Sequence, residues 1–279
     1  MAGTEGLFAG HGFDVEIADP PGGPDNIRRV ATGERDFCLT SIHHYLSAWA
    51  EDGDLSARFV AISVQRSPIA AVVLDGSPLR ELGDIAGRRL AGSPTGSFTV
   101  EFLASLAEQG IDPPELVTVP GADARTAVVN GEADLFVEFV DALPRLQRLA
   151  GVPLRAIPAG LDIYSSGLVA ADRLSHDTVA RMRDALASAL RRQREDPSAG
   201  LDELCRRYPD VVPGEAIEGW RVLEPYVFAG GEPGAMDAGK WERTLDVLTA
   251  ARRLSRPDPE RVYRPEFATP VRRPTAVSR

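Results

Sequence analysis

Apolar residues along this chain change their period several times, and each change marks a predicted element. Phe13–Ile17 alternates apolar and polar positions, which predicts a half-buried strand, and the Pro20–Pro24 loop sets up a helix from Asp25. Phe37–Ser41, Arg58–Val64 and Ile69–Leu74 are apolar runs of strand length, with an apolar helix predicted over Ile42–Ala50. A short helix over Leu79–Ile85 leads to a strand at Leu90–Ala91. The loop 92–97 then opens a helix over Phe98–Gln109, with Phe98, Phe102 and Leu106 on one face and Gly110 as its stop. Leu116–Val119, Leu154–Ile157 and Gly167–Ala170 read as further strands. Val179, Met182, Leu186 and Leu190 place one apolar stripe on a long helix running from Ser175 to about Glu195. Residues 199–253 read as short helices only, and 264–279, with three prolines and four arginines, read as a mobile tail.

One pattern occurs twice, 98 residues apart. A helical stretch ends in Gly-Glu-x-Asp and runs straight into an apolar strand, at Gly33–Asp36 and again at Gly131–Asp134. Each glycine stands where a helix end needs the left-handed conformation. A helix–turn–strand unit repeated at domain-sized separation predicts two similar α/β lobes, and a cleft between lobes is where small molecules bind. The expected division is lobe one over 1–77, lobe two over 78–172, a return to lobe one with C-terminal helices over 173–263, and the tail 264–279. The crossovers are expected near 75–80 and 170–200.

Composition narrows the function. At 279 residues the chain can bury two cores, and its 43% hydrophobic content is that of an ordinary globular protein. A net charge of -10 argues against nucleic acid as a partner but leaves room for a small anion held by one local positive site. No apolar run approaches the length needed to span a membrane, and residues 1–6 carry neither the basic nor the apolar region of a signal peptide. Cys38 falls mid-strand with no basic neighbour, so it reads as a buried structural thiol rather than a nucleophile, and Cys205 reads as a second buried thiol.

The candidate ligand residues lie at strand ends and one helix start. Thr95, Gly96 and Ser97 open the helix after the 92–97 loop, where backbone N–H groups and hydroxyls can hold an anion; a plain N-cap is the other reading. Ser41 and His43 follow the first repeat's strand, at the end of the sheet where open α/β folds bind ligands. The adjacent pair His43 and His44 points to different sides of a helix, so neither a metal nor any other cofactor is expected. Glu138 occupies the equivalent point of the second repeat, either facing a donor-bearing ligand or solvated on a connection. Gln65 and Arg66 sit at another strand exit, where Arg66 would meet a ligand acid or form a hinge salt bridge. Tyr164 offers an aromatic wall near the return crossing. No Gly-x-Ser-x-Gly, Walker A or metalloprotease motif is present, so no catalytic residue is assigned.

Taken in order, the Gly6–Ile17 segment, the Gly-Glu-x-Asp-Phe strand, Val64–Pro68, Leu82–Arg89, Gly92–Ser97, Gly131–Asp134, Tyr164–Gly167 and Asp258–Phe267 cover nearly the whole chain. The set resembles the sulfonate- and pyrimidine-binding SsuA/THI5-like group of periplasmic-binding-protein-like chains. That resemblance implies a type II fold with two α/β lobes and a hinged cleft. It further implies a small polar organic ligand (sulfonate-, pyrimidine- or aromatic-acid-like), an ABC permease as partner, and an extracytoplasmic place. A cytosolic enzyme on the same fold, a pyrimidine-synthase-like or desulfinase-like lyase, is the alternative, favoured if Met1 is the true start; a ligand-sensing domain is a third. Relatives carry an export signal, a strand and a helix ahead of the segment that begins here at Gly6. The expectation is therefore a truncated start and a first lobe without its first strand.

Overall fold

In the computed structural model, which describes residues 6–18 and 22–269, the chain builds two sheets and passes strands between them. A one-turn helix, α1 (Leu7–Gly10), precedes α2 (Pro24–Ala31), whose buried Ile27 and Val30 lie one turn apart. Gly33, at φ 81°, ends α2 in the left-handed region and leads to β1 (Phe37–Ser41). Next come α3 (Ile42–Asp52), β2 (Ala57–Val64), β3 (Ile69–Leu74), β4 (Arg89–Gly92), α4 (Ser97–Glu108) and β5 (Glu115–Thr118). The second repeat is α5 (Ala124–Val129), Gly131 at φ 76°, and β6 (Leu135–Phe139). There follow α6 (Leu143–Ala150), β7 (Leu154–Pro158), β8 (Ser166–Ala171), α7 (His176–Glu195), α8 (Leu201–Arg207), α9 (Pro213–Val227) and α10 (Ala238–Arg252).

The first sheet has the order β1-β8-β2, with both pairings antiparallel. The second has the order β5-β4-β6-β3-β7; β4 runs parallel to β5 and β6, and β3 runs antiparallel to β6 and β7. Sheet membership corrects the expected crossovers. β3 belongs to lobe two and β8 to lobe one, so the chain crosses at 65–68 and 159–165 rather than near 75–80 and 170–200. Ile69 through Val73 are all buried, a run that needs cover on both faces and finds it only between β6 and β7. The apolar run predicts burial but not which sheet supplies it.

Four other expectations change. Phe13–Ile17 forms no strand: Phe13 and Val15 pack on the lobe-one core as irregular chain, and Arg181 lies over the Phe13 ring at 4.9 Å. One expectation does not change, a first lobe short of a strand: in lobe two β6 has β4 beside it, but among the described residues β1, its counterpart in the repeat, has no such neighbour. β1 is therefore an edge strand, and Leu39 on it is 59% exposed. Leu82–Ile85 is a 3-10 turn rather than a helix over Leu79–Ile85. Residues 199–253 contain two helices of 15 residues, α9 and α10, not short helices alone. The start of the supposed tail is packed, with Phe267 buried against the His176 ring at 4.7 Å and Thr269 bridged to Asp237. Residues 270–279 lie outside the described residues.

The lobe-one core centres on Trp241 of α10. Its ring lies 5.2 Å from Phe59, 5.4 Å from Tyr164 and 5.2 Å from Tyr263, so α10, β2, the return crossing and the C-terminal segment meet on one indole. Gly167 lets β8 enter between β1 and β2, since a Cβ there would lie 2.4 Å from the Ala61 carbonyl oxygen. No helix among the described residues is long and apolar enough to cross a membrane.

Cys38 and Cys205 are half-buried rather than buried, and desolvation on β1 pushes the Cys38 thiol up to about 12. At pH 8 iodoacetamide is expected to alkylate Cys38 at least about 100-fold more slowly than an unshifted exposed thiol. Rapid alkylation in the folded protein would contradict this.

Candidate functional site

Strand ends from both lobes converge on a cavity of about 550 Å³. Lobe one supplies the junction of β1 and α3, with Ser41, His43 and His44. Lobe two supplies Gly92 at the end of β4 and Ser93 after it, Gly96–Thr99 at the start of α4, Arg125 on α5, Glu138 and Phe139 at the end of β6, and Arg145 on α6. These positions follow from the fold, because in open α/β sheets the strand ends and the helix starts behind them share one edge.

The α4 start is the positive wall. Gly96 is its N-cap and offers no side-chain acceptor, so the first-turn N–H groups of a 12-residue helix are left to the cavity. Ser97 is the first helical residue, not the cap. The loop before it is tight: a Cβ on Gly92 would lie 2.7 Å from Thr99 Oγ1, and one on Gly96 would lie 3.3 Å from the Ser93 carbonyl oxygen. Arg125 and Arg145 add two guanidinium groups, and neither makes a hydrogen bond or salt bridge with a described residue.

The other groups are more constrained. Ser41 caps α3, its Oγ accepting from His44 N–H at 3.2 Å. Burial, then His43 and Arg252, hold His44 below the usual imidazole range, so it is neutral near pH 7. His43 Nε2–H is committed to Glu101 Oε2 at 2.5 Å, and the residue is 5% exposed; it backs the wall rather than offering a free imidazole. The Glu138 carboxyl is raised above its ordinary value, chiefly by burial, with Asp141 adding to the rise. The Phe139 N–H on its Oε1 at 3.0 Å and the nearby Arg145 oppose that rise. Phe98 and Phe139, ring centres 4.6 Å apart, give the cavity an aromatic side.

Of the residues nominated from sequence, Ser41, His43, Gly96, Ser97 and Glu138 stand in this wall. The rest do not. Gln65 is buried, donating from Nε2 to the carbonyls of Ile62 and Ala235 at 3.2 and 2.8 Å, so it ties the crossing to the C-terminal region. Arg66 lies over the Tyr226 ring at 5.0 Å, stacking in the hinge instead of meeting a ligand acid. Tyr164 is buried in the Trp241 cluster and accepts from Asp237 N–H at 2.7 Å. Thr95 stays outside the wall, its Oγ1 3.4 Å from Ser93 Oγ. Sequence reasoning missed Arg125 and Arg145, because a charged residue on an amphipathic helix reads as solvated. The one available signal was that Arg125 falls where the first repeat has the buried Ile27. Among the described residues no group of three or more His, Cys, Asp or Glu side chains could hold a metal.

Known structures share this architecture. The periplasmic aliphatic sulphonate binding protein SsuA from Escherichia coli superposes with a TM-score of 0.75 at 15% identity, over 99% of this chain and 90% of that one. The alkanesulfonate-binding protein SsuA from Xanthomonas axonopodis pv. citri, bound to MOPS, gives 0.63 at 20% identity, over 96% and 93%. The ligand-binding component of an ABC-type import system from Staphylococcus aureus gives 0.65 at 13%, over 95% and 92%. At these identities the likeness establishes the fold: two lobes of the periplasmic-binding-protein type II kind. No curated protein matches the chain in sequence. The family model described as NMT1/THI5 like matches residues 1–199, and the chain belongs to that family.

Proposed function

We propose that this protein is the substrate-binding component of an ABC-type uptake system and that it closes its lobes on a small organic anion with an apolar body, a sulfonate first of all. The observation that carries the reading is the meeting of Arg125, Arg145 and the uncapped start of α4 on one cavity between the lobes. A tetrahedral anion presents three oxygens to such a set of donors, and guanidinium adds charge to the helix-end amides. Phe98 and Phe139 give the ligand's carbon portion an apolar surface. The solved sulfonate-binding proteins of the same fold support this chemistry, and in such a system the partner is a membrane permease and the place of action extracytoplasmic. The lyase reading finds no support: Cys38 lies off the cavity with its thiol pushed up to about 12.

Calorimetric titration with ethanesulfonate, benzenesulfonate, benzoate and an aminopyrimidine tests the ligand class. The sulfonates are expected to bind, and Arg125→Gln or Arg145→Gln should each cost about 1.5–3 kcal/mol, the worth of a hydrogen bond to a charged group. Tight aminopyrimidine binding that survives both substitutions would overturn the anion reading.

The half-buried Glu138 predicts a pH dependence. Its folded pKa is raised above 4.5, so ionisation costs stability; that cost is absent below the unfolded value and complete above the folded one. An anionic ligand meets a neutral Glu138 only as pH falls through that raised range, and His44, held below the usual imidazole range, gains its proton only on the acid side of the ordinary imidazole value. Affinity for ethanesulfonate is therefore expected to rise as pH falls from 7 towards 5. Glu138→Gln should bind more tightly at pH 7 and flatten the profile. An unchanged profile in Glu138→Gln would contradict the role given to this carboxylate.

A further inference from the structure

Glu101 stands one turn into α4 and is 1% exposed, and each of its carboxylate oxygens is held from outside the lobe-two sheet. From lobe one, His43 Nε2–H on α3 donates to Oε2 at 2.5 Å. From the 65–68 crossing, Ser67 Oγ–H donates to Oε1. His43 is 5% exposed and Ser67 2%. Among the described residues the only salt-bridge partner of this carboxylate is His43; no arginine or lysine reaches it. Both donors are themselves anchored. Arg252 of α10 donates to the His43 carbonyl and to Ser47 Oγ, each at 2.8 Å, so the α3 backbone that carries the ring is tied to the body of lobe one. The Ser67 hydroxyl accepts from Ile69 N–H at 3.3 Å, at the first residue of β3.

We infer that Glu101 is a positioning residue for the ligand site: one carboxylate latches lobe one and the first crossing onto lobe two, and so holds the cleft closed over the cavity. The latch stands directly behind the cavity wall, since Ser41 and His44 flank His43, and Phe98 and Thr99 precede Glu101 on α4. A sealed carboxylate is costly unless donors meet its lone pairs, so closure and the two hydrogen bonds require each other. The balance is reversible because closure carries a cost of its own. His43 Nδ1 is buried with no hydrogen-bond partner, and opening would give that nitrogen water. The Arg243–Glu108 pair also joins lobe one to α4, but it is partly exposed and screened. The inference rests on the proposed reading only in taking the cavity as the ligand site; the latch is independent of ligand class.

The test uses the ligand-free protein, with small-angle scattering and hydrogen exchange on wild type, Glu101→Gln and Ser67→Ala. Glu101→Gln is expected to enlarge the radius of gyration. It should also speed exchange about tenfold or more at the Gln65 and Arg66 amides, which donate to the Tyr226 carbonyl at 2.9 and 3.1 Å. Amides within β1, β8, β3 and β6 should keep wild-type protection. Ser67→Ala, which removes one of the two donors, should move both readings in the same direction by less, and it carries the test if Glu101→Gln does not fold. Unchanged scattering and crossing exchange in a folded variant would overturn the latch. So would acceleration spread evenly over both sheets, which is the mark of a merely structural pair. Ethanesulfonate titration reads the other question: an opened Glu101→Gln protein whose wild type ignores sulfonates would fault the ligand class and leave the latch standing.

Discussion

The geometry of this protein turns on a short link. β2 and β3 are successive strands in different sheets, joined only by residues 65–68. Four residues span no more than about 15 Å, so the neighbouring ends of the two sheets must stay side by side however the lobes rotate. The return crossing at 159–165 repeats the constraint, and there Ile42 N–H donates to the Ser165 carbonyl at 2.9 Å. With these edges pinned, the ends of β1, β4 and β6 open on the same space. A ligand cavity between the lobes is a consequence of the strand exchange before any side chain is considered.

Side chains then decide what that space can hold. A helix start usually carries a Ser, Thr, Asp or Asn cap worth about 1 kcal/mol, and α4 has Gly96 instead. Three other helices of this chain, α3, α7 and α10, do take side-chain caps from Ser41, Ser175 and Asp237. α1, α2, α5, α6, α8 and α9 also start without a side-chain cap, so what sets α4 apart is the place of its open first turn, in the wall of the cavity. The tight packing of Gly92 and Gly96 against Thr99 and Ser93 keeps the loop from covering those amides. Glu101, four residues beyond Ser97, then uses the same helix to reach lobe one. One end of α4 faces the cavity and its second turn reports on closure.

Much of this architecture was legible in the chain because the repeat was. Gly33 and Gly131 both adopt positive φ, and each closes a helix ahead of a strand in matching positions of the two lobes. What burial patterns cannot give is the identity of the neighbour. The apolar run of β3 looks the same whichever sheet takes it, and the alternation of Phe13–Ile17 predicts a strand only if a partner strand lies alongside. α9 continues through Gly219 and Pro225, and a Cβ on Gly219 would lie 2.6 Å from the Asp141 carbonyl oxygen. At the site, strand-end logic reached Ser41, Gly96, Ser97 and Glu138. Gln65 lies outside the cavity wall, its amide turned to Ala235, a residue 170 positions further along the chain. No local pattern encodes that contact. Applying the 98-residue offset more strictly would have exposed Arg125 as a charge in an apolar slot and paired Ser41 with Phe139 across the cleft.

A net charge of -10 sits uneasily with an anionic ligand until distance is taken into account. At physiological ionic strength the field of exposed charges decays over about 8 Å, so most of the acidic surface is screened from a molecule already inside the cleft. Within that range an anion bound as proposed would meet Arg125, Arg145 and the α4 amides, where lower dielectric strengthens each contact. The global charge therefore slows approach more than it weakens the bound state, and it disfavours anions that cannot reach the cavity floor. Glu138 sharpens the choice. Ionised, it opposes an anion placed deep against β6; neutral, or facing a ligand that brings a donor of its own, it does not. Under the proposed reading, selection in this cleft is then a balance between two guanidinium groups with the α4 amides and one carboxylate whose charge depends on burial, which is a balance the ligand's own arrangement of charge must match.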